Sequence, residues 1–301
     1  MIRRASACLL FAALSLCSCA GTHAEDDVGG LGQAVVNGAL DLDDPAAVAI
    51  LHRLPKAHAP PRLAFCSGAL VAPNVVLTAA HCIAEEHDGS YDVFFGAQVA
   101  AGGTVIPVEA VLVHSAYDAA THRFDVALLR LAFDSTNAPY RIASDVAALL
   151  EVGDSVRAVG FGVDDAQDGF PERKRSGVMA IAEAEDDSFS TSPAPAMTCT
   201  GDSGGPVLAT EHDGQERLVG LTVFGDPGCK ERAINQRVDR LNEFIAPFIE
   251  QTRAPSAGCS FYRQPTPSTG LLIPALAVVV SCIRRRRLLR FPGRIAVRFA
   301  R

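Results

Sequence analysis

Cys199-Thr200-Gly201-Asp202-Ser203-Gly204-Gly205-Pro206-Val207-Leu208 decides how the rest of this chain is read. A serine hydroxyl attacks a carbonyl only when a base takes its proton and backbone N–H groups stand ready for the developing oxyanion. Gly201 has no Cβ to obstruct an approaching carbonyl, so its N–H and that of Ser203 can converge on one point, while Gly204 and Gly205 admit close packing behind the serine. Alone, these ten residues also fit an ordinary glycine-rich turn that happens to carry a serine. The catalytic reading therefore needs a base and an acid elsewhere in the chain.

Both occur upstream. Residues 77–82 read Leu-Thr-Ala-Ala-His-Cys and residues 124–131 read Phe-Asp-Val-Ala-Leu-Leu-Arg-Leu, giving the chain order His81, Asp125, Ser203. Other hydrolase folds place the same three groups in other orders. Over residues 35–250, on four separate motifs, the sequence resembles the trypsin/chymotrypsin family of serine proteases. The resemblance implies an all-β fold of two antiparallel β-barrels, about 35–140 and 141–238, with the active site between them and a C-terminal helix. It gives Ser203 as nucleophile, His81 as general base, Asp125 as the group that orients it, and the N–H groups of Gly201 and Ser203 as oxyanion hole.

Other parts of the family pattern map residue by residue. Val35-Val36-Asn37-Gly38 is similar to the start of mature members, which implies a cut before Val35 by an activating protease and pairing of the new amino group with Asp202. A buried carboxylate without a cation is costly. The residue before that cut is Ala34 rather than Lys or Arg, so a trypsin-like activator is not indicated. Six residues before the serine, where members that cut after Lys or Arg carry aspartate, this chain has Met197. The expectation is an apolar or small residue at P1, with Met197 as pocket floor, Phe224 and Gly225 on one wall and Ala233 on the other, unless Asp226 or Glu231 supplies charge from another direction. Val223 stands where many relatives have a serine that hydrogen-bonds the triad aspartate, which leaves Asp125 one donor short. The family also implies the disulfides Cys66–Cys82 and Cys199–Cys229; the spacing of four cysteines alone allows three connectivities.

The chain has 301 residues, 49% of them hydrophobic and 20% charged, enough for a large core. Short apolar runs at 69–72, 75–78, 93–95, 105–113, 127–131, 155–159, 205–208 and 218–224, broken by Gly, Pro, Asn and Asp, read as strands. Residues 239–251 carry Leu241, Phe244, Ile245, Phe248 and Ile249 at helical spacing. Residues 35–253 hold 16 basic and 31 acidic side chains, about −15 net. That argues against nucleic acid and anionic membrane as partners of this body. The histidines other than His81 show no metal-ligand spacing and read as surface groups. No cofactor is expected, and the sequence does not say whether a loop binds calcium.

The ends read as export signals. Residues 1–19 join Arg3-Arg4 to an apolar run too short to span a membrane, a secretory signal. Leu16-Cys17-Ser18-Cys19 is close to a lipoprotein pattern, with acylation of Cys19; a cut near Ala20 or Ala24 fits equally, and residues 20–34 then form a short propeptide. Residues 254–270 are a Pro/Ser/Gly/Thr-rich linker. An apolar run at 271–283 and a basic end at 284–301 follow, the end that positive charge would keep in the cytoplasm. This tail, with Cys259 as its processing site, resembles MYXO-CTERM sorting signals; a plain C-terminal membrane anchor is the alternative. The whole reads as an exported bacterial serine endopeptidase acting on proteins or peptides, tethered to the membrane through an N-terminal lipid, the C-terminal anchor or both. Two other readings stay open: a weakly catalytic homologue that serves as a protein-binding surface module, and an esterase with the same triad.

Overall fold

A computed structural model describes residues 35–53, 62–84, 90–163, 173–253 and 298–299. The expected signal, propeptide, linker, Cys259 and anchor fall outside these residues, as does the basic end apart from 298–299. Among the described residues no helix is long and apolar enough to cross a membrane.

After a two-residue strand β1 (Ala39–Leu40), six strands form the first barrel: β2 (Ala47–Arg53), β3 (Arg62–Ala72), β4 (Val75–Thr78), β5 (Ser90–Phe95), β6 (Thr104–Val113) and β7 (Ala127–Leu131). A short helix α1 (His81–Ala84) lies between β4 and β5. The antiparallel order β2-β3-β4-β7-β6-β5 closes because β5 pairs back onto β2. The second barrel uses β8 (Ser155–Gly160), β9 (Arg175–Ala184), β10 (Ser188–Pro193), β11 (Pro206–Thr210), β12 (Glu216–Gly225) and β13 (Ala233–Arg237). Its ring β8-β9-β10-β13-β12-β11 closes when β11 returns to β8. Closure leaves neither sheet a long open edge. β1 adds to β9 of the second barrel, and β14 (Arg298–Phe299) pairs with β6.

Strand period two explains why the sequence looks continuously apolar near the cleft. In β4 all four residues of Val-Val-Leu-Thr are buried: Val76 points into the first barrel with Ile50 and Leu129, while Val75 and Leu77 point outward into a layer shared with Val159, Leu208 and Leu221 of the second. Both faces are dry, so both must be apolar. Burying each such leucine contributes about 2 kcal/mol, and that shared layer holds the barrels together behind the cleft. Leu241 and Ile245 enter it from the C-terminal segment, a 3₁₀ turn (Asp239–Leu241) running into α2 (Asn242–Arg253).

β2, β9, β10 and β13 were not among the expected strands. β10 and β13 carry buried Ser190, Thr191, Asn235, Gln236 and Arg237, so no apolar alternation marks them. Several of these groups are met internally: Asn235 Nδ2 donates to Thr191 Oγ1 at 3.3 Å, Gln236 Nε2 to the Asp187 carbonyl at 2.6 Å and Arg237 to the Glu185 carbonyl at 3.0 Å, while Ser190 Oγ and Asn235 Oδ1 have no hydrogen-bond partner among the described residues.

Candidate active site

His81 opens α1 directly after the buried Ala79-Ala80 pair, and the Cys66–Cys82 disulfide ties that helix to β3. Asp125 lies two residues before β7 and is fully buried. Its Oδ1 accepts the His81 backbone N–H at 2.9 Å and its Oδ2 sits 2.7 Å from His81 Nδ1. Burial alone would raise this carboxyl; the hydrogen bond and charge of His81, its backbone N–H and His122 together hold it below the ordinary carboxylate range.

Ser203 comes from the second barrel, in the turn before β11. Ser67 of β3 joins that turn to the first barrel: its N–H donates to the Ser203 carbonyl at 2.8 Å, its Oγ donates to the Gly201 carbonyl at 2.9 Å, and it accepts from the Phe161 N–H at 2.9 Å. Among the described residues the N–H groups of Gly201 and Ser203 have no hydrogen-bond partner, which leaves them free for an oxyanion. Gly201 has φ 92° and Gly204 φ 79°. At Gly204 a Cβ would also lie 2.2 Å from Thr78 Oγ1 and 2.5 Å from the Ser67 carbonyl. Gly204→Ala is therefore expected to lower stability by about 2–4 kcal/mol through strain and clash together and to displace Ser203, read as a lower Tm with a fallen kcat. An unchanged Tm would contradict this packing.

Asp202 faces away from the cleft and is wholly buried. Its Oδ2 accepts the N–H of Val35 at 3.3 Å and of Cys199 at 2.8 Å, and its Oδ1 accepts the Gly162 N–H at 2.8 Å. Burial outweighs those donors and pushes its pKa up to about 6. Val35 is itself buried, so the segment expected to follow the activating cut already lies against Asp202.

These elements, two closed barrels with His81, Asp125 and Ser203 around one cleft, agree with the sequence comparisons. The family profile described as Trypsin matches residues 56–245. This chain belongs to the trypsin family. It is similar to a trypsin of Saccharopolyspora erythraea, 28% identical over 207 residues that cover 63% of this chain and 88% of the relative. It is similar also to a trypsin of Simulium vittatum, 31% identical over 188 residues (55% and 72%), and to trypsin iota of Drosophila melanogaster, 28% identical over 176 residues (53% and 68%). The chain is a trypsin-like serine protease, a hydrolase.

Within this trypsin-family cleft, of about 240 Å³, the lining includes His81, Ser203, Thr198, Phe224, Gly225 and Asp226. Phe224 and Gly225 line this cleft, and Cys199–Cys229 is bonded across it. Met197 and Ala233 are not in the lining. Met197 N–H donates to the Val36 carbonyl at 2.9 Å, and its side chain joins Val156, Phe189 and Val207 in the second-barrel core, 1% exposed; Ala233 packs in the same core. The next residue, Thr198, is buried and does line the cleft, and its Oγ1 has no hydrogen-bond partner among the described residues. Asp226 does line the cleft, but its Oδ1 accepts the N–H groups of Glu231 and Arg232, both at 2.9 Å.

Two further expectations change. With Val223 in place of a serine, Asp125 is not a donor short, because His122 Nδ1 lies 3.3 Å from Asp125 Oδ2. His122 is thus no plain surface residue; it stacks on Phe224 at 4.8 Å and stands edge-on to His81 at 6.1 Å. His114 is half-buried between Phe124 and Phe244, and burial lowers its pKa. The sequence signal for His122 was its place three residues before Asp125, a separation too common to single it out.

Proposed function

We propose that this protein is an exported serine endopeptidase working through an acyl-enzyme on Ser203. The observation that carries the reading is the 2.7 Å contact of His81 Nδ1 with Asp125 Oδ2, which sets the imidazole beside Ser203 in one cleft. Asp125 keeps a proton on Nδ1, so the Nε2 lone pair is left for the serine. The Ser203 Oγ–carbonyl bond forms as its proton passes to Nε2, and charge develops toward the N–H groups of Gly201 and Ser203. The C–N bond then breaks, His81 protonates the departing amine, and water repeats the sequence to release the acid. In the free enzyme the Ser203 hydroxyl donates to the Val223 carbonyl at 3.3 Å, a long bond that rotation about χ1 exchanges for His81 when substrate arrives.

The P1 preference in this reading is apolar or small. What supports it is a cleft whose buried side carries the neutral Thr198 rather than a carboxylate, with Asp226 turned to its own loop. A peptide-library profile of the protein beginning at Val35 tests it: cleavage after small or apolar residues is expected, and dominant cleavage after Arg or Lys would contradict it.

Activation by a cut before Val35 belongs to the same proposal. In the uncut chain the value of about 6 for Asp202 lies above the ordinary 3.8, so the folded state holds this proton more tightly than the unfolded. The resulting penalty is absent below about pH 4 and complete above about pH 6, where the gap corresponds to about 3 kcal/mol. An ammonium at Val35 would return the carboxyl to its charged form and remove much of that penalty. The Tm advantage of cut over uncut Ser203→Ala protein is therefore expected to grow from pH 4 to pH 7. An advantage that does not change with pH would argue against the pairing. A signal at 1–19, lipid on Cys19 or a cut nearby, and a tail processed at Cys259 or held by 271–283 complete the proposal. Mass spectrometry of the mature ends tests them, and an end retaining residues 1–19 would contradict export by this route.

A further inference from the structure

His122 gives the cleft a second imidazole, and its place is fixed from both barrels. Its backbone is in the left-handed region at φ 54°, and Phe124 follows at φ 51°. The loop before it is closed by Thr121 Oγ1 donating to Asp118 Oδ2 at 2.9 Å and by Asp118 N–H donating to the Arg123 carbonyl at 3.1 Å. Phe224, from β12, covers one face of the ring. One ligand atom from each of His81, His122 and Asp125 lies within 4.8 Å of the others. The two histidine side chains are 21% and 34% exposed while the carboxylate is buried, so solvent reaches the cluster from the imidazole side.

We propose that His81, His122 and Asp125 form a binding site for a borderline divalent cation, with zinc as the type, and that an ion held there silences the protease. Two imidazoles and one carboxylate suit zinc, nickel or copper(II); calcium and magnesium prefer all-oxygen sites. Zinc with ligands at about 2.0–2.2 Å places them roughly 3.4 Å apart, so side-chain rotation suffices to close the three groups on an ion. The fourth position is left to water. Inhibition follows whichever nitrogen of His81 takes the metal. At Nε2 the ion uses the lone pair that Ser203 needs; at Nδ1 it forces the ring proton onto Nε2, and the base is lost equally. Binding does not depend on the catalytic reading, whereas inhibition rests on it.

Calorimetric titration of zinc chloride into Ser203→Ala protein beginning at Val35, which cannot digest itself, reads binding alone. One ion per chain is expected, with no heat from calcium or magnesium. Adding His122→Phe, which keeps an aromatic ring on Phe224, is expected to weaken that binding by about tenfold or more through loss of a ligand. His122→Asn should do the same, and an unaltered far-UV spectrum and Tm in either variant separates ligand loss from misfolding. In the Ser203 enzyme, zinc should suppress peptide hydrolysis reversibly with EDTA. The half-inhibiting concentration, each variant scored against its own metal-free rate, should rise with His122→Phe by a similar factor. Absence of zinc binding, or binding unaltered by both His122 substitutions, would overturn the site. Zinc binding to a chain that hydrolyses nothing after EDTA treatment would uphold the site and overturn the catalytic reading instead.

Discussion

Ser203→Ala is expected to lower kcat for peptide hydrolysis by about 10⁴–10⁶-fold, leaving only what the oxyanion hole and substrate binding supply. In the proposed mechanism Oγ is the atom that joins the acyl group. The fold should hardly notice. Oγ makes one long hydrogen bond, to the Val223 carbonyl at 3.3 Å, and deleting it costs about 1 kcal/mol or less. The carbonyl of Ser203 keeps its bond from Ser67. Loss of rate with an unshifted Tm is therefore the expected pair, measured on a peptide anilide and by calorimetry. A variant that kept a tenth of the wild-type rate would remove Ser203 from the mechanism.

Asp125→Asn should cost nearly as much, about 10⁴-fold in kcat, and the described contacts say why. Oδ1 faces the His81 backbone N–H, a donor that cannot change; Oδ2 faces Nδ1 of both His81 and His122. An asparagine must turn its NH₂ toward one of these places. Set at Oδ1 it opposes an N–H. Set at Oδ2 it makes both imidazoles accept at Nδ1, which moves the His81 proton to Nε2 and leaves Ser203 without a base. KM should change far less than kcat, since Asp125 is buried and touches no substrate. The measurement is kcat and KM on one peptide substrate, and a loss confined to KM would mean that Asp125 acts through the shape of the cleft.

His81, Asp125 and Ser203 stood out as candidates because each sits in a stretch of sequence whose local constraints are severe, whereas the pairings Cys66–Cys82 and Cys199–Cys229 followed from the family resemblance and not from spacing. Gly204 is held at positive φ against Thr78 and Ser67, and Ala79-Ala80 leave no room for larger side chains. Strands with a dry face on each side, such as β4, announce themselves by apolar runs. β10 and β13 do not, because their buried residues are largely polar, and the partners that Asn235, Gln236 and Arg237 find lie about 45–50 residues away, beyond any local pattern. Register hid the rest. The family resemblance implied Met197 as the pocket floor, but here its pairing with Val36 accompanies a side chain packed in the core, and Thr198 lines the cleft. His122 reaches Asp125 only because residues 122 and 124 are left-handed and Phe224 arrives from the other barrel. None of that is written in residues 118–125.

The central claim is that His81 and Asp125 make Ser203 a nucleophile. Reaction of the protein beginning at Val35 with a fluorophosphonate, read by intact mass and by the labelled peptide, tests it most directly. One adduct per chain on Ser203, abolished in His81→Ala with the fold intact, is the expected result. No adduct, an adduct elsewhere, or labelling of Ser203 that is as fast without His81 would contradict it.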